Sequence, residues 1–360
     1  MTNNVEGMQQ LVDTKAKLTS YGTVLKDGEI MRLSDVDRVT IGDGVTAGKD
    51  RPVFLDSFHE GAFGILNNSY RGVNLAEKFA EEVADYGGDA WKWIQEERIN
   101  REKVADLYPW DYIFAQQTGR TISDGTTSYA LPTKTHKMHI AGINTYKNYG
   151  YPSGCPTHID FISVDSTIGV NIPWQTRDLN NGSSAIIYPW RQSKLYACLN
   201  GVDNRHNDWQ GNELGFDAST GGVLQSLPQY LQEHIAMKRM FADSRYSGSG
   251  ALTESTAGDV DDCGYIWVPR EVEVYGFPCN SQQKDANGVN RSAYGSIQYP
   301  IFANNNAKQE MGRVNVWLSS VASGSSSRAC TVDPNGPAYT RECSHAWISA
   351  WVGFRLQKQS

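Results

Sequence analysis

The side chains best suited to chemistry are scattered along the chain rather than grouped. Seven histidines stand at 59, 136, 139, 158, 206, 234 and 345. Only His136 and His139 lie close together, and on a strand their odd spacing directs them to opposite faces. Hydrogen-bonded histidines explain them better than a two-histidine metal site. The six cysteines, Cys155, Cys198, Cys263, Cys279, Cys330 and Cys343, include no CxxC pair, whereas a zinc site needs closely paired ligands. Buried or free thiols are the simpler reading, although Cys330 and Cys343 could pair across one loop in oxidising surroundings. Asp259, Asp261 and Asp262 supply hard oxygens suited to Ca²⁺, but they lack the EF-hand spacing and read as a solvated acidic loop. No Gly-x-Ser-x-Gly elbow occurs. Its nearest approach, Gly248-Ser249-Gly250, sits in a Ser/Gly run with no strand before it. These residues predict no enzyme, no cofactor and no metal.

A chain without a catalytic cluster must work through its surface, so the elements that shape that surface matter more. The 360 residues suffice for two or three domains. Glycine (34) and aromatics (10 Trp, 18 Tyr, 11 Phe) are plentiful while aliphatic runs are short, which suits a loop-rich fold filled by flat rings. A net charge of −7 with no basic block argues against a nucleic-acid partner. No stretch approaches the roughly 18 consecutive apolar residues of a membrane span, so no membrane insertion is expected. The N-terminal Met-Thr-Asn-Asn-Val-Glu has no charged-then-apolar signal pattern. The expectation is synthesis in the cytosol, with release by lysis or by assembly into a particle.

Residues 1–20 are polar and helix-compatible. From Tyr21 short strands alternate with tight turns: Gly22–Leu25, Glu29–Leu33 and Asp37–Ile41 read as strands, Gly42-Asp43-Gly44 and Gly48-Lys49-Asp50 as turns. A β unit of roughly forty residues is too small to be stable alone and would borrow burial from neighbouring subunits. Over 74–99 the period lengthens, with Leu75, Phe79, Val83, Trp91, Ile94 and Ile99 set among charged residues. That predicts an amphipathic helix pair broken at Gly87-Gly88, packed either on the next domain or on another subunit. From about 105 to 357 the texture is that of one domain. Strands are predicted at Lys137–Ala141, His158–Ser163 and Tyr265–Val268, and one helix at Pro228–Lys238, where Leu231 and Ile235 stack four apart. Long loops rich in Trp and Tyr point to function rather than disorder.

Two segments resemble known families. The run Gly28-Glu-Ile-Met-Arg-Leu33 through Asp37-Arg-Val-Thr-Ile-Gly-Asp-Gly44, continuing to Pro52, is similar to the N-terminal repeat of phage tail-fibre and tropism-determinant proteins. The longer likeness starts at Tyr108-Pro-Trp-Asp-Tyr-Ile113 and passes through Ile140–Asn144, His158–Ser163, Ser193–Asn200, Leu224–Pro228 and Tyr265–Gly276. It closes with Trp317–Ser320 and Val352–Leu356. This order resembles C-type lectin-like domains of phage and gut-bacterial surface proteins, some of them variable proteins of diversity-generating retroelements. Where that pattern usually has Arg after Trp-Leu, this chain has Ser319. The resemblance implies an α+β fold, mostly β and loop. A β-rich unit would cover 1–70, a helical connector 71–104, and a C-type lectin-like ligand-binding domain 105–360, with a variable region at about 313–351. The Glu-Pro-Asn and Trp-Asn-Asp motifs of calcium-dependent sugar-binding lectins are absent. The related sulfatase-modifying enzymes use a reactive cysteine pair, and Cys330 and Cys343 lack a recognisable basic partner.

If the likeness extends to diversification, adenine-directed mutation of Asn codons yields the Ser, Thr, Tyr, Asp, Arg, His, Ile and Ala that crowd 319–351. The candidate contact residues are Ser326, Arg328, Thr331, Tyr339, Thr340, Arg341, Ser344, His345 and Ile348. Trp347 and Trp351 fall in the same stretch. Trp is not reachable from an Asn codon, so both read as buried framework or as contacts of other codon origin. The implied function is receptor binding at a phage tail tip, in a virion component assembled in the bacterial cytoplasm. Its partners would be a bacterial surface protein or glycan, other tail proteins, and two further copies in a homotrimer. The alternatives are a bacterial surface adhesin or lectin of the same fold, and a lectin-fold enzyme.

Overall fold

In a computed structural model of the chain the described residues are 10–13, 30–33, 38–41, 54–55, 70–147, 155–180, 186–208, 210–241, 245–246, 253–254, 260–281, 298–303, 314–323 and 325–359. The chain divides into two compact units, residues 1–71 and 72–360. Strands and loops dominate and helices are few and short, as expected of a mostly-β α+β protein.

The first unit is a four-stranded ladder in sequence order: β1 (Gln10–Asp13), β2 (Ile30–Leu33), β3 (Arg38–Ile41) and β4 (Phe54–Leu55). β1 runs parallel to β2, and the remaining pairs are antiparallel. Ile30 lies opposite Ile41 and Leu33 opposite Arg38, which joins two predicted strands. β1 corrects the helix-compatible reading at 10–13, because ladder pairing outweighs a weak local propensity. Gly22–Leu25 and the Gly42-Asp43-Gly44 turn lie outside the described residues.

The second unit opens with α1 (Leu75–Lys78), α2 (Ala80–Ala84) and α3 (Ala90–Trp93), the last running into a π-helical stretch, Ile94–Ile99. Asn74 and Asp89 cap backbone N–H groups, and the chain reverses at Gly87 and Gly88, whose φ angles are 71° and 81°. Leu75, Val83, Trp91, Ile94 and Ile99 are all buried, and Trp91 meets Phe161 and Phe354 edge-on. The stretch predicted as a connector over 71–104 thus supplies a core layer of the second unit.

The strands follow as β5 (Tyr112–Gln117), β6 (Arg120–Ser123), β7 (Ser128–Leu131), β8 (Lys134–Ile143) and β9 (His158–Thr167). Then come β10 (Ile186–Ile187), α4 (Lys194–Asn200), β11 (His206–Asn207), β12 (Glu213–Leu214), α5 (Gln229–His234) and β13 (Ile235–Ala236). After β14 (Lys238–Phe241), β15 (Arg245–Tyr246), β16 (Thr253–Glu254), β17 (Val260–Gly264) and β18 (Ile266–Trp267) comes α6 (Glu271–Tyr275). The last four are β19 (Val316–Val321), β20 (Arg328–Val332), β21 (Ala338–Glu342) and β22 (Trp351–Gln357). The central sheet has the order β13-β22-β9-β8-β5, with β18 also paired to β22, while β19-β20-β21 form a separate sheet. The helix predicted over Pro228–Lys238 ends at His234, because Ile235 enters β13 opposite Leu356 and buries its β-branched side chain in the sheet.

Two ion pairs lie in the core of this unit among the described residues. Arg355 donates Nε and Nη2 to the two oxygens of Asp160 at 2.8 and 2.9 Å, and the Tyr299 hydroxyl adds a third bond at 3.0 Å. Lys238 Nζ lies 2.6 Å from Glu273 Oε1 and 3.9 Å from the Trp267 ring centroid, while the Tyr146 hydroxyl donates to the same carboxylate. Side-chain exposure is 1% or less at all four charges. Buried ions are tolerated only when their remaining lone pairs and protons are also satisfied, which these tyrosines achieve. Burial works to raise the Asp160 carboxyl, but the Arg355 guanidinium outweighs it and holds the group below its ordinary value. Burial, reinforced by Arg355, pushes the neighbouring His158 down to about 4. Gly353 of β22 is required here, since a Cβ would stand 2.5 Å from the Trp267 ring.

Candidate binding face

The residues singled out in the C-terminal stretch fall on β20, β21 and the loop leading to β22. Every residue of β19 is buried, β20 is buried except at Arg328, and β21 is partly exposed along its length. β19 and β21 both end this sheet, but β19 is covered by the Val316–Ser349 bridge and by bonds linking Ser319 and Ser320 to Pro269 and Glu271, whereas β21 carries the exposed side chains. On β19 the Trp317 indole N–H donates to Ile172 O at 3.0 Å, and Ser320 Oγ accepts from Glu271 N at 3.0 Å.

Segment 170–180 ties down the loops on either side. The Asn180 side-chain amide donates to the carbonyls of Ser325 (2.9 Å) and Arg328 (2.6 Å), and its backbone N–H to that of Ser326 at 2.6 Å. Asp178 Oδ1 accepts from Ser344 N at 2.8 Å, and Gln175 N donates to Cys343 O at 2.9 Å. The Ser349 hydroxyl donates to Val170 O at 3.1 Å, and Tyr275 Oη to Gly336 O at 2.9 Å in the β20–β21 turn. Loops fastened this densely through their backbone present side chains with little ordering left to do on binding.

Those side chains are aromatic and ionic. Arg328 and Glu342 sit opposite each other across β20 and β21, 3.0 Å apart and 44% and 40% exposed. On the outer strand Arg341 stacks over the Tyr339 ring, 4.4 Å from its centroid, and reaches Asp333 at 3.3 Å. Tyr339 is 46% exposed, and Trp347 in the following loop is 80% exposed. Trp347 N donates to His345 Nδ1 at 3.3 Å, which fixes the backbone beneath the indole. Ser326, Thr340, Ser344 and His345 are half-buried at the rim.

Three candidate contacts are corrected. Thr331 is fully buried, because it occupies the middle strand between Trp317 and Tyr339. Ile348 is fully buried, as the residue before the Val316–Ser349 bridge that draws the chain inward. Trp351 is fully buried at the start of β22, opposite Thr167 and stacked on Phe302 with centroids 5.5 Å apart. Trp347 departs from the framework reading in the other direction. The sequence offers no sign of the supporting residues Gln175, Asp178 and Asn180, which read only as a polar loop. Glu342 and Asp333 become visible as arginine partners only once the strand register is known.

The other chemistry-bearing residues lie elsewhere and apart. Cys330 and Cys343 are both fully buried. His136 sits between Ser166 and Gln117, with burial lowering it to about 4, while His139 bonds Trp110 O at 2.7 Å. Asp262 pairs with Arg239 at 2.9 Å, and Asp259 and the Gly248-Ser249-Gly250 run lie outside the described residues. Among the described residues no group of three or more His, Cys, Asp or Glu could hold a metal ion. No helix among them is long and apolar enough to cross a membrane. No family model, curated protein or solved structure matches the chain.

Proposed function

We propose that the chain is a phage receptor-binding, tropism-determining subunit that adsorbs to a bacterial surface receptor through the β20–β21 edge and the loop after it. The observation that carries this reading is an exposed strand edge at β21, with Tyr339 and Arg341 on one side of the pleat, Arg328 and Glu342 on the other and Trp347 in the loop after it, in a sheet whose opposite edge, β19, is buried from end to end. Tyr, Trp and Arg supply large contact area with few rotatable bonds, the composition favoured in recognition surfaces. A lectin-like reading of 105–360 draws support from β22, which returns to the sheet interior between β9 and β13 after a long loop-rich excursion that carries the exposed edge. In this proposal the first unit attaches to other tail proteins, and three copies multiply weak single sites by avidity. No catalytic role, cofactor or nucleic-acid partner is assigned.

The test is adsorption. The purified full chain should bind a subset of bacterial isolates and block infection of those isolates by the phage that carries it. Binding to none of a broad panel, or binding to all of them equally without blocking infection, would remove the proposal.

A further inference from the structure

Resting on that receptor-binding reading, we infer that the face takes a neutral saccharide, stacked on Trp347 and held by the Arg328–Glu342 fork without calcium. Each arginine along this edge already has a carboxylate partner, Arg328 with Glu342 on one side of the sheet and Arg341 with Asp333 on the other. The rim therefore presents no surplus positive charge to a sulfate, phosphate or sialate. It presents donors and acceptors side by side. Arg328 reaches Glu342 Oε1 with both Nε (3.1 Å) and Nη2 (3.0 Å), and Arg328 Nη1 and Glu342 Oε2 have no partner among the described residues. A free donor next to a free acceptor is what adjacent sugar hydroxyls match, since each hydroxyl both gives and receives a hydrogen bond.

The apolar half of the site is equally specific in kind. Trp347 is 80% exposed, and its indole N–H has no partner among the described residues. His345 N donates to Glu342 O at 3.0 Å, so a tight turn connects the ion pair to the loop that carries the indole. A flat ring carried one backbone turn from a polar fork suits a pyranose, with one face of C–H groups and an edge of hydroxyls. A protein partner fits less well. It would cover about 800 Å² on this side and desolvate the Arg328–Glu342 pair, which roughly cancels its attraction. A saccharide exchanges bound water for hydroxyls and leaves the pair partly wet.

The test uses the full chain on an isolate to which it adsorbs. Cells are treated with protease, with periodate to cleave vicinal diols, or with EDTA, and polysaccharide extracted from the same isolate is immobilised as a second probe. Adsorption should survive protease and EDTA, fall after periodate, and be reproduced on the polysaccharide. Trp347→Ala should weaken it about tenfold, the equivalent of one aromatic contact. Trp347→Phe, which keeps a ring, should lose less, and Arg328→Ala should lose a few-fold. Loss under both protease and periodate supports a glycan carried on protein, provided released glycan competes. Adsorption that disappears with protease alone, needs divalent cations, or is unchanged in Trp347→Ala overturns the saccharide while leaving receptor binding in place. A native chain that adsorbs to no isolate removes both.

Discussion

Arginine–carboxylate pairs occur in the second unit in two settings, and they do different work. Asp160–Arg355 lies in the central sheet with side-chain exposures of 0% and 1%, whereas Arg328–Glu342 lies on the outer face at 44% and 40%. The chemistry is the same and the distances are nearly so. Inside, removing one partner strands a charge in a low-dielectric core. On the rim, water replaces whichever partner is lost. The scaffold can therefore be sensitive to every ion it contains while the face changes freely. In the proposed receptor-binding role, that separation lets contacts change while the fold is kept.

The largest expected effect breaks the inner pair. Arg355→Met or Asp160→Asn should cost about 3–5 kcal/mol in urea unfolding, and Lys238→Met a similar amount through Glu273. Equal stability of Arg355→Met and the native chain would erase the contrast between the two settings. Acidification sharpens the same contrast. Burial holds His158 and His136 at about 4, below the ordinary 6.5. The unfolded state then binds more protons between those values, so stability is full above about pH 6.5 and falls as the pH drops toward 4. The loss should be on the order of 3 kcal/mol per histidine. Replacing His158 by Gln should flatten the curve over that window. Asp160, held low in the fold, adds a further loss only as the pH falls below the ordinary carboxylate range.

Smaller effects belong to the face. Arg328→Ala should change stability by no more than about 1 kcal/mol. Thr331→Val should be close to neutral or slightly stabilising, because the Thr331 hydroxyl is buried with no partner among the described residues. Trp347→Ala should leave the melting curve within about 0.5 kcal/mol of native. A large loss from any of these three would place the face inside the scaffold energetically.

What the sequence allowed to be read follows the strength of local periodicity. The helices over 75–99 are legible because Leu75, Val83, Trp91, Ile94 and Ile99 mark one apolar side and Gly87-Gly88 the reversal. Strands β8, β9 and β18 lie where apolar runs predict them. α4 does not stand out as a helix, since all seven of its residues are buried and no polar face marks a period. On the face, Arg328, Tyr339 and Arg341 are identifiable by residue type. Thr331 is not separable from them, because burial of a middle strand depends on neighbours distant along the chain. Trp347 and Trp351, four residues apart and of one type, end at 80% and 0% exposure, which only the tertiary path decides.

The separation of scaffold from face is tested most directly by one variant in which Arg328, Tyr339, Arg341, His345 and Trp347 are all replaced by Ala or Ser, measured in parallel for unfolding and for adsorption to a susceptible isolate. The expected outcome is a cooperative transition within about 2 kcal/mol of the native chain, five surface changes of the usual size, together with loss of adsorption. A variant that still adsorbs, or one whose transition collapses, would contradict it.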